Sequence, residues 1–219
     1  VQYLRRHAPI GCRDHETVEC LRQHGIEAHF TGCLTLTLSG LRLHQPSRQH
    51  TYLVDPLSNF PQLRDLLLSP QRLYVALRTG EWRRLGRRTR MVAQVLSPSL
   101  LATARVRTHV LPSAGVTETE KFSLAESYLM DYADARLVIT SRIHCALPCL
   151  ALGVPVIFVN AFDNPVDKCR FGGILDLFNR VDIDAYGNVS SNFGLLGLLG
   201  VESVPSNPTR HHPLASDLQ

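Results

Sequence analysis

Long apolar runs, paired cysteines and lysines are scarce in this 219-residue sequence. Its longest apolar stretch, 145–159, carries two prolines and is shorter than the about 18 residues that a membrane-spanning helix needs. The six cysteines form no C-x-x-C pair, and Cys145 and Cys149, four residues apart, lack the second pair of a metal site. We therefore expect no membrane span and no metal site, and nothing indicates a disulfide-stapled scaffold.

Only Lys121 and Lys168 are lysines among the 23 basic residues, so arginine dominates the formal net charge of +4. A guanidinium group is a planar fork that matches carboxylates and phosphates, although a G+C-rich genome produces the same bias. The 44% hydrophobic fraction, with 14 glycines and 13 prolines, is ordinary for a globular protein. These proportions exclude collagen-like, low-complexity and largely disordered classes. The chain begins at Val1 rather than at methionine, and we interpret it as a fragment without its natural N-terminus.

Helix and strand patterns alternate in the first part of the chain. Asp14 is placed to cap a helix that Gly25 ends. A short strand is predicted over 26–30, and strict period-two alternation predicts another over 33–39. The short connections between these elements are typical of an α/β fold.

The middle of the chain is the hardest part to interpret. A strand is predicted over 51–55, a short helix over 61–68, and a domain boundary in the loop between them. Residues 71–101 contain five arginines close together. We interpret this stretch as a solvated insertion rather than a nucleic-acid patch, because aromatic residues for base stacking are not interleaved with the arginines.

From residue 105 onward the pattern becomes sharper. A strand over 105–111 is followed by a helix that Ser123 and Glu126 would begin as a capping box. The apolar runs 136–140 and 155–159 predict buried parallel strands, joined by a short helix. Such a strand–helix–strand unit is right-handed, and its ligands bind at the carboxyl ends of the strands. After residue 160 we predict a loop and then a helix over 171–178.

The turn 140–144 follows the first of these buried strands and concentrates polar side chains. Arg142 offers a bidentate partner for a carboxylate or phosphate, beside the unpaired backbone N–H groups of a helix N-terminus. Thr140 and Ser141 add hydroxyl donors, and His144 is able to move a proton near neutral pH. We predict an anion-binding site here; the alternative is that these side chains only cap the helix or pair with neighbours.

The run 140–158, from Thr-Ser-Arg-Ile-His to Gly-Val-Pro-Val-Ile-Phe, resembles the signature of the polysaccharide pyruvyl transferase family, which carries Arg-x-His at this turn. The opening Pro-Ile-Gly-Cys-Arg-Asp-His-Glu-Thr-Val at 9–18 is similar to the family as well. The likeness covers 8–40 and 105–180, whereas 60–104 matches poorly.

The resemblance implies a glycosyltransferase-B-like fold, in which two Rossmann-like domains with parallel sheets face a cleft. Residues 1–58 would be the remnant of a truncated first domain. Residues 59–185 would form the second domain, with the arginine-rich insertion near 71–101, and 186–219 a partly disordered tail.

The family transfers the pyruvyl group of phosphoenolpyruvate to two hydroxyls of a sugar, which forms a cyclic ketal and releases phosphate. The resemblance implies that Arg142 and the backbone of Ile143 bind this donor, and that His144 is the general acid. Ser141 and, from across the cleft, Arg13 are further donor-binding candidates. The expected partners are phosphoenolpyruvate and a sugar or polysaccharide, with no cofactor, metal or nucleic acid. A bacterial protein would act in the cytoplasm and a eukaryotic one in the Golgi.

Two alternatives stay open. A glycosyltransferase of the same fold would hold the diphosphate of a nucleotide sugar at this turn, although no acidic ribose-binding motif follows Gly153. The chain could also be an inactive remnant that only binds glycans. His109 at the end of a strand, and Lys168 and Arg170 before a glycine pair, are secondary site candidates.

Overall fold

The computed structural model describes residues 1–41, 47–58, 60, 70–80, 82–111, 115–161 and 169–218. Its helices are α1 (Gln2–Arg6), α2 (His15–Gln23), α3 (Pro70–Thr79), α4 (Trp82–Val95), α5 (Pro98–Thr103), α6 (Glu118–Ala133), α7 (Ile143–Ala151) and α8 (His211–Asp217). Its strands are β1 (Ile10–Cys12), β2 (Ala28–Phe30), β3 (His50–Val54), β4 (Arg105–Arg107), β5 (Ala135–Thr140), β6 (Val156–Asn160), β7 (Asn179–Ile183) and β8 (Val189–Ser191). The helix predicted over 61–68 lies outside the described residues.

Six strands form the main sheet, in the order β4-β3-β5-β6-β7-β8. The pairs from β4 to β7 are parallel, and β8 is antiparallel to β7 at one edge. β1 and β2 form a separate, two-stranded parallel sheet. The chain is therefore a mixed α/β fold built on parallel strands, and the predicted strand–helix–strand unit is confirmed as β5-α7-β6.

Apolar clusters cover both faces of the main sheet. In β5, Val138 packs in the cluster that contains the buried side of α7. Its neighbour Ile139 packs in the other cluster, with Met91 and Val95 of α4 and Leu100 of α5. Burial on both faces explains why β5 and β6 are continuously apolar rather than alternating.

Two predicted helix starts have different outcomes. At α2, the Asp14 carboxylate accepts a hydrogen bond from the Thr17 backbone N–H at 2.8 Å, which confirms the cap. At α6, the predicted start at Ser123 is wrong, because Thr117 is the N-cap and forms a full capping box with Glu120. Both Thr117 and Ser123 have a glutamate three residues later, so both fit the sequence pattern of a capping box. The structure uses the upstream one, Thr117, which gives the longer helix.

Two other segments differ from their predicted secondary structure. The alternating stretch 33–39 is not a strand, since Leu34–Gly40 is a 3₁₀ helix that packs against α7 and α8. In a strand, Leu34 and Leu36 would lie on the same face, whereas here Leu36 is fully buried and Leu34 is exposed. The alternating pattern is therefore misleading in this segment. The helix predicted over 171–178 is a series of turns that ends in the 3₁₀ helix Leu175–Leu177.

The main sheet extends beyond the boundaries expected for the second domain. β3 lies between β4 and β5, so the sheet includes residues before the boundary predicted at 58. The prediction that 71–101 is a solvated insertion is wrong for the second half of this stretch, because α4 and α5 bury apolar side chains against the sheet. Residues expected to form a loose tail supply β8, α8 and Leu199, which is fully buried.

Candidate functional site

The carboxyl ends of β3, β4 and β5 meet at one edge of the main sheet, because these three neighbouring strands are parallel. Each strand is followed by chemistry-bearing side chains. Asp55 follows β3, His109 lies just beyond β4, and Arg142 and His144 follow β5. This is the edge at which open α/β sheets bind ligands.

Asp55 holds the polar groups of this edge together. Its side chain is 2% exposed and its carboxylate Oδ2 lies 3.0 Å from Nε of Arg142. The same oxygen accepts a hydrogen bond from the backbone N–H of His109 at 2.9 Å. Asp55 also has a φ of 44°, a left-handed conformation that non-glycine residues adopt rarely. Sequence reasoning missed Asp55 because its partner Arg142 lies 87 residues later, and locally Pro56 indicated only the end of a strand.

Arg142 is the N-cap residue of α7 and is partly exposed, with 35% of its side chain accessible. Its backbone N–H donates to the hydroxyl of Thr140 at 3.0 Å, which fixes the turn. Since the first backbone N–H groups of a helix have no intrahelical acceptor, the turn offers anion-binding groups beside a guanidinium. Ile143 is buried and begins α7, so only its backbone is placed to contact a ligand. Its predicted donor contact stays a prediction.

Ser141 is buried and connects three segments of the sheet edge. Its hydroxyl donates to the carbonyl oxygen of Val159 in β6 and accepts from the backbone N–H of Leu57 at 2.8 Å. These two contacts show how Ser141 fixes the turn. Its predicted contact with a donor stays a prediction, and a ligand would compete with these partners.

His144 is exposed and lines a cavity of about 360 Å³ between α6, α7 and the 3₁₀ helix Leu34–Gly40. Thr35, His109, Leu124, Tyr128 and Tyr132 are among the other residues that line this cavity. His144 also influences the thiol of Cys33. The hydrogen bond from His144 lowers the pKa of Cys33 to about 7, although partial burial acts in the opposite direction.

His109 is half-buried and held on three sides. Its Nε2 lies 2.8 Å from the Tyr132 hydroxyl, and its ring stacks on Tyr128 with 4.8 Å between the ring centroids. Burial lowers the pKa of His109, and the nearby Arg142 lowers it further while Asp55 opposes the shift. The structure thus brings this secondary candidate to the same cavity as His144.

The remaining candidates lie apart from this group. Arg13 follows β1, and its guanidinium is 3.9 Å from the Asp14 carboxylate. The first turn of α2 contacts the loop after β6, where the His15 backbone N–H donates to the Gly172 carbonyl. Arg170 is exposed in that loop, and Lys168 lies outside the described residues.

The described residues hold neither a metal-binding cluster nor a membrane-spanning helix. They contain no group of three or more His, Cys, Asp or Glu side chains arranged to hold a metal ion. They also contain no helix long and apolar enough to cross a membrane.

Comparisons with known proteins identify one family. The family model described as polysaccharide pyruvyl transferase matches residues 1–163, which include β1 to β6 and the turn that carries Arg142 and His144. No curated protein and no solved structure matches the chain significantly.

Proposed function

The chain belongs to the polysaccharide pyruvyl transferase family, a family of transferases that modify polysaccharides, and we propose that it uses phosphoenolpyruvate as its donor. The pyruvyl group would be transferred to two hydroxyls of a sugar or polysaccharide, which forms a cyclic ketal and releases phosphate. The observation that supports this proposal best is the placement of Arg142 at the N-cap and His144 in the first turn of α7, at the carboxyl edge of the sheet.

Charge complementarity supports phosphoenolpyruvate as the donor. Its phosphate and carboxylate groups are both bidentate acceptors for guanidinium. The contact with Asp55 occupies Nε of Arg142, so the two terminal nitrogens are the ones available to the donor. The backbone N–H groups of Ile143 and His144 begin α7 and add the positive end of the helix dipole. This charge balance leads us to propose that no metal or other cofactor takes part.

Proton transfer gives His144 its role. The methylene carbon C3 of phosphoenolpyruvate gains a proton when the first sugar hydroxyl adds to C2, and phosphate then leaves as the second hydroxyl closes the ring. His144 would supply the proton to C3, and a positioned general acid contributes about 10²–10⁴-fold. Arg142 would stabilise the charge that develops on the departing phosphate.

A glycosyltransferase-B-like arrangement is part of the proposal. β1, α2 and β2 would belong to the first Rossmann-like domain and the main sheet to the second. The contact between His15 and Gly172 supports this, because it joins the first turn of α2, two residues after Arg13, to the segment that follows β6. Arg13 would then approach the donor from the other side of the cleft.

Calorimetric titration with phosphoenolpyruvate tests the proposal. We expect saturable binding by the folded chain, loss of binding in Arg142→Ala, and unchanged binding in Arg78→Ala, which removes an exposed arginine of α3 outside the site. Circular dichroism would confirm that each variant is folded. Binding of a nucleotide sugar but not phosphoenolpyruvate would contradict the proposal, and so would binding that Arg142→Ala leaves intact.

A further inference from the structure

The proposed function, on which this further inference rests, requires more than one group that carries protons during ketal formation. The two sugar hydroxyls lose two protons in total. One proton ends on C3 of the pyruvyl group and the other on the released phosphate. His144 must begin protonated to act on C3, so a second group must begin neutral to receive the first hydroxyl proton.

His109 is the neighbouring side chain with the right chemistry. It lies just beyond the carboxyl end of β4 and lines the same cavity as His144. A sugar in this cavity therefore has one imidazole on the α7 side and another on the β4 side. The cavity is otherwise lined largely by apolar and aromatic side chains.

The ring of His109 is fixed by its contacts with α6. Nε2 is joined to the Tyr132 hydroxyl, and the ring face is stacked on Tyr128. Tyr128 is itself held by a hydrogen bond from its hydroxyl to the Thr108 carbonyl at 2.8 Å. Burial raises the pKa of Tyr132 far above its ordinary value, so the phenol stays neutral. With Nε2 occupied, the imidazole exchanges a proton with substrate through Nδ1.

The surroundings of His109 favour its neutral form. Burial lowers its pKa, and Arg142 at the β5–α7 turn acts in the same direction. Asp55 after β3 raises it, but that carboxylate is already paired with Arg142. From α6, Tyr128 and Tyr132 are uncharged and Lys121 is a further cation of the cavity wall; His144 faces the cavity from α7.

We propose that His109 is the second catalytic proton carrier of the site. In the first step His144 gives its proton to C3, the first hydroxyl oxygen bonds to C2, and its proton passes to His109. In the second step the bond between C2 and the phosphate oxygen breaks, and His109 returns its proton to that oxygen. The second hydroxyl bonds to C2 and its proton passes to His144, so both histidines regain their starting states.

His109→Gln is the test variant, because the glutamine amide can still form a hydrogen bond with Tyr132 but neither gains nor releases a proton near neutral pH. His29→Gln is the matched control, since His29 is exposed on β2. Wild type and both variants would be titrated with phosphoenolpyruvate by calorimetry. Phosphate release would then be followed with methyl galactoside, glucoside and mannoside as acceptors.

We expect His109→Gln to bind phosphoenolpyruvate as wild type does and to release phosphate about 10²–10⁴-fold more slowly. In wild type, kcat should rise with pH through the pKa of His109, and this limb should be missing in the variant. Loss of donor binding in His109→Gln would overturn the proposal, because His109 would then be a donor ligand. Normal turnover in the variant would overturn it as well.

Nuclear magnetic resonance of histidine in the full chain gives a readout independent of the acceptor. With phosphoenolpyruvate bound, the His109 imidazole should be neutral at pH 7, whereas a cation at this pH overturns the proposal. If none of the three glycosides is turned over, the protonation state measured by magnetic resonance is the result that tests the proposal. Failure of the proposed function is distinct, because wild type itself would then not bind phosphoenolpyruvate.

Discussion

The turns after β3 and β5 leave the same sheet edge and carry opposite charges, but they differ in exposure. Asp55 is 2% exposed and bonds only to protein groups in the contacts described above, whereas 35% of the Arg142 side chain is accessible. The exposed turn leaves the Arg142 side chain accessible, and the buried carboxylate of the other turn holds it in place. A polar residue at a strand end is therefore either a binding or a positioning residue, and burial distinguishes the two.

His144→Ala should produce the largest effect, because it removes a side chain of the exposed turn. We expect pyruvyl transfer to fall about 10²–10⁴-fold. The midpoint of thermal unfolding should stay close to that of wild type, since the His144 side chain is exposed. Phosphate release and a thermal melt measure the two quantities. Near-normal turnover would remove His144 from its role as the acid.

Asp55→Asn tests whether the buried carboxylate positions Arg142. The amide cannot form the ion pair with Nε of Arg142, and a hydrogen bond to a charged group contributes about 1.5–3 kcal/mol. A guanidinium that is held less firmly binds the donor less well, so we expect the affinity for phosphoenolpyruvate to fall by up to about tenfold. Calorimetry measures the affinity, with the exposed Asp217→Asn as control. Unchanged affinity would mean that Arg142 does not need Asp55.

Ser141→Ala separates structural from ligand-binding roles within one turn. The substitution leaves the Leu57 backbone N–H without its buried acceptor, which costs about 1–3 kcal/mol of unfolding free energy. Chemical denaturation should show this loss while phosphoenolpyruvate affinity changes little. A collapse of affinity in a variant that stays folded would instead support the predicted direct contact with the donor.

Alkylation of Cys33 gives the smallest and most local effect. Its pKa of about 7 means that the thiolate fraction, and so the rate of reaction with iodoacetamide, rises with pH through neutrality. In His144→Ala the rise should move to higher pH, because the hydrogen bond that lowers the pKa is gone. Mass spectrometry would follow Cys33 beside the exposed Cys20 and Cys169. An unchanged profile would show that the two side chains are uncoupled.

The sequence predicted the β5-α7-β6 unit and the turn at Arg142 because both depend on local patterns of apolar, glycine and polar residues. It could not predict that β3 lies between β4 and β5, since strand order depends on long-range packing. Asp55 and Cys33 were missed for the same reason. Their partners Arg142 and His144 are far away in the chain, so no local sequence pattern indicates either interaction.

The capping box of Thr117 and Glu120 has a consequence for the cavity, because Lys121 and Leu124 in the first turns of α6 line it. Had α6 begun at Ser123, six fewer residues would be helical, which shortens the helix by about 9 Å. Lys121 would then lie before the helix, and Leu124 in its frayed first turn, instead of standing as a wall beside His144. An exposed threonine that does not line the cavity thus determines which residues form its wall.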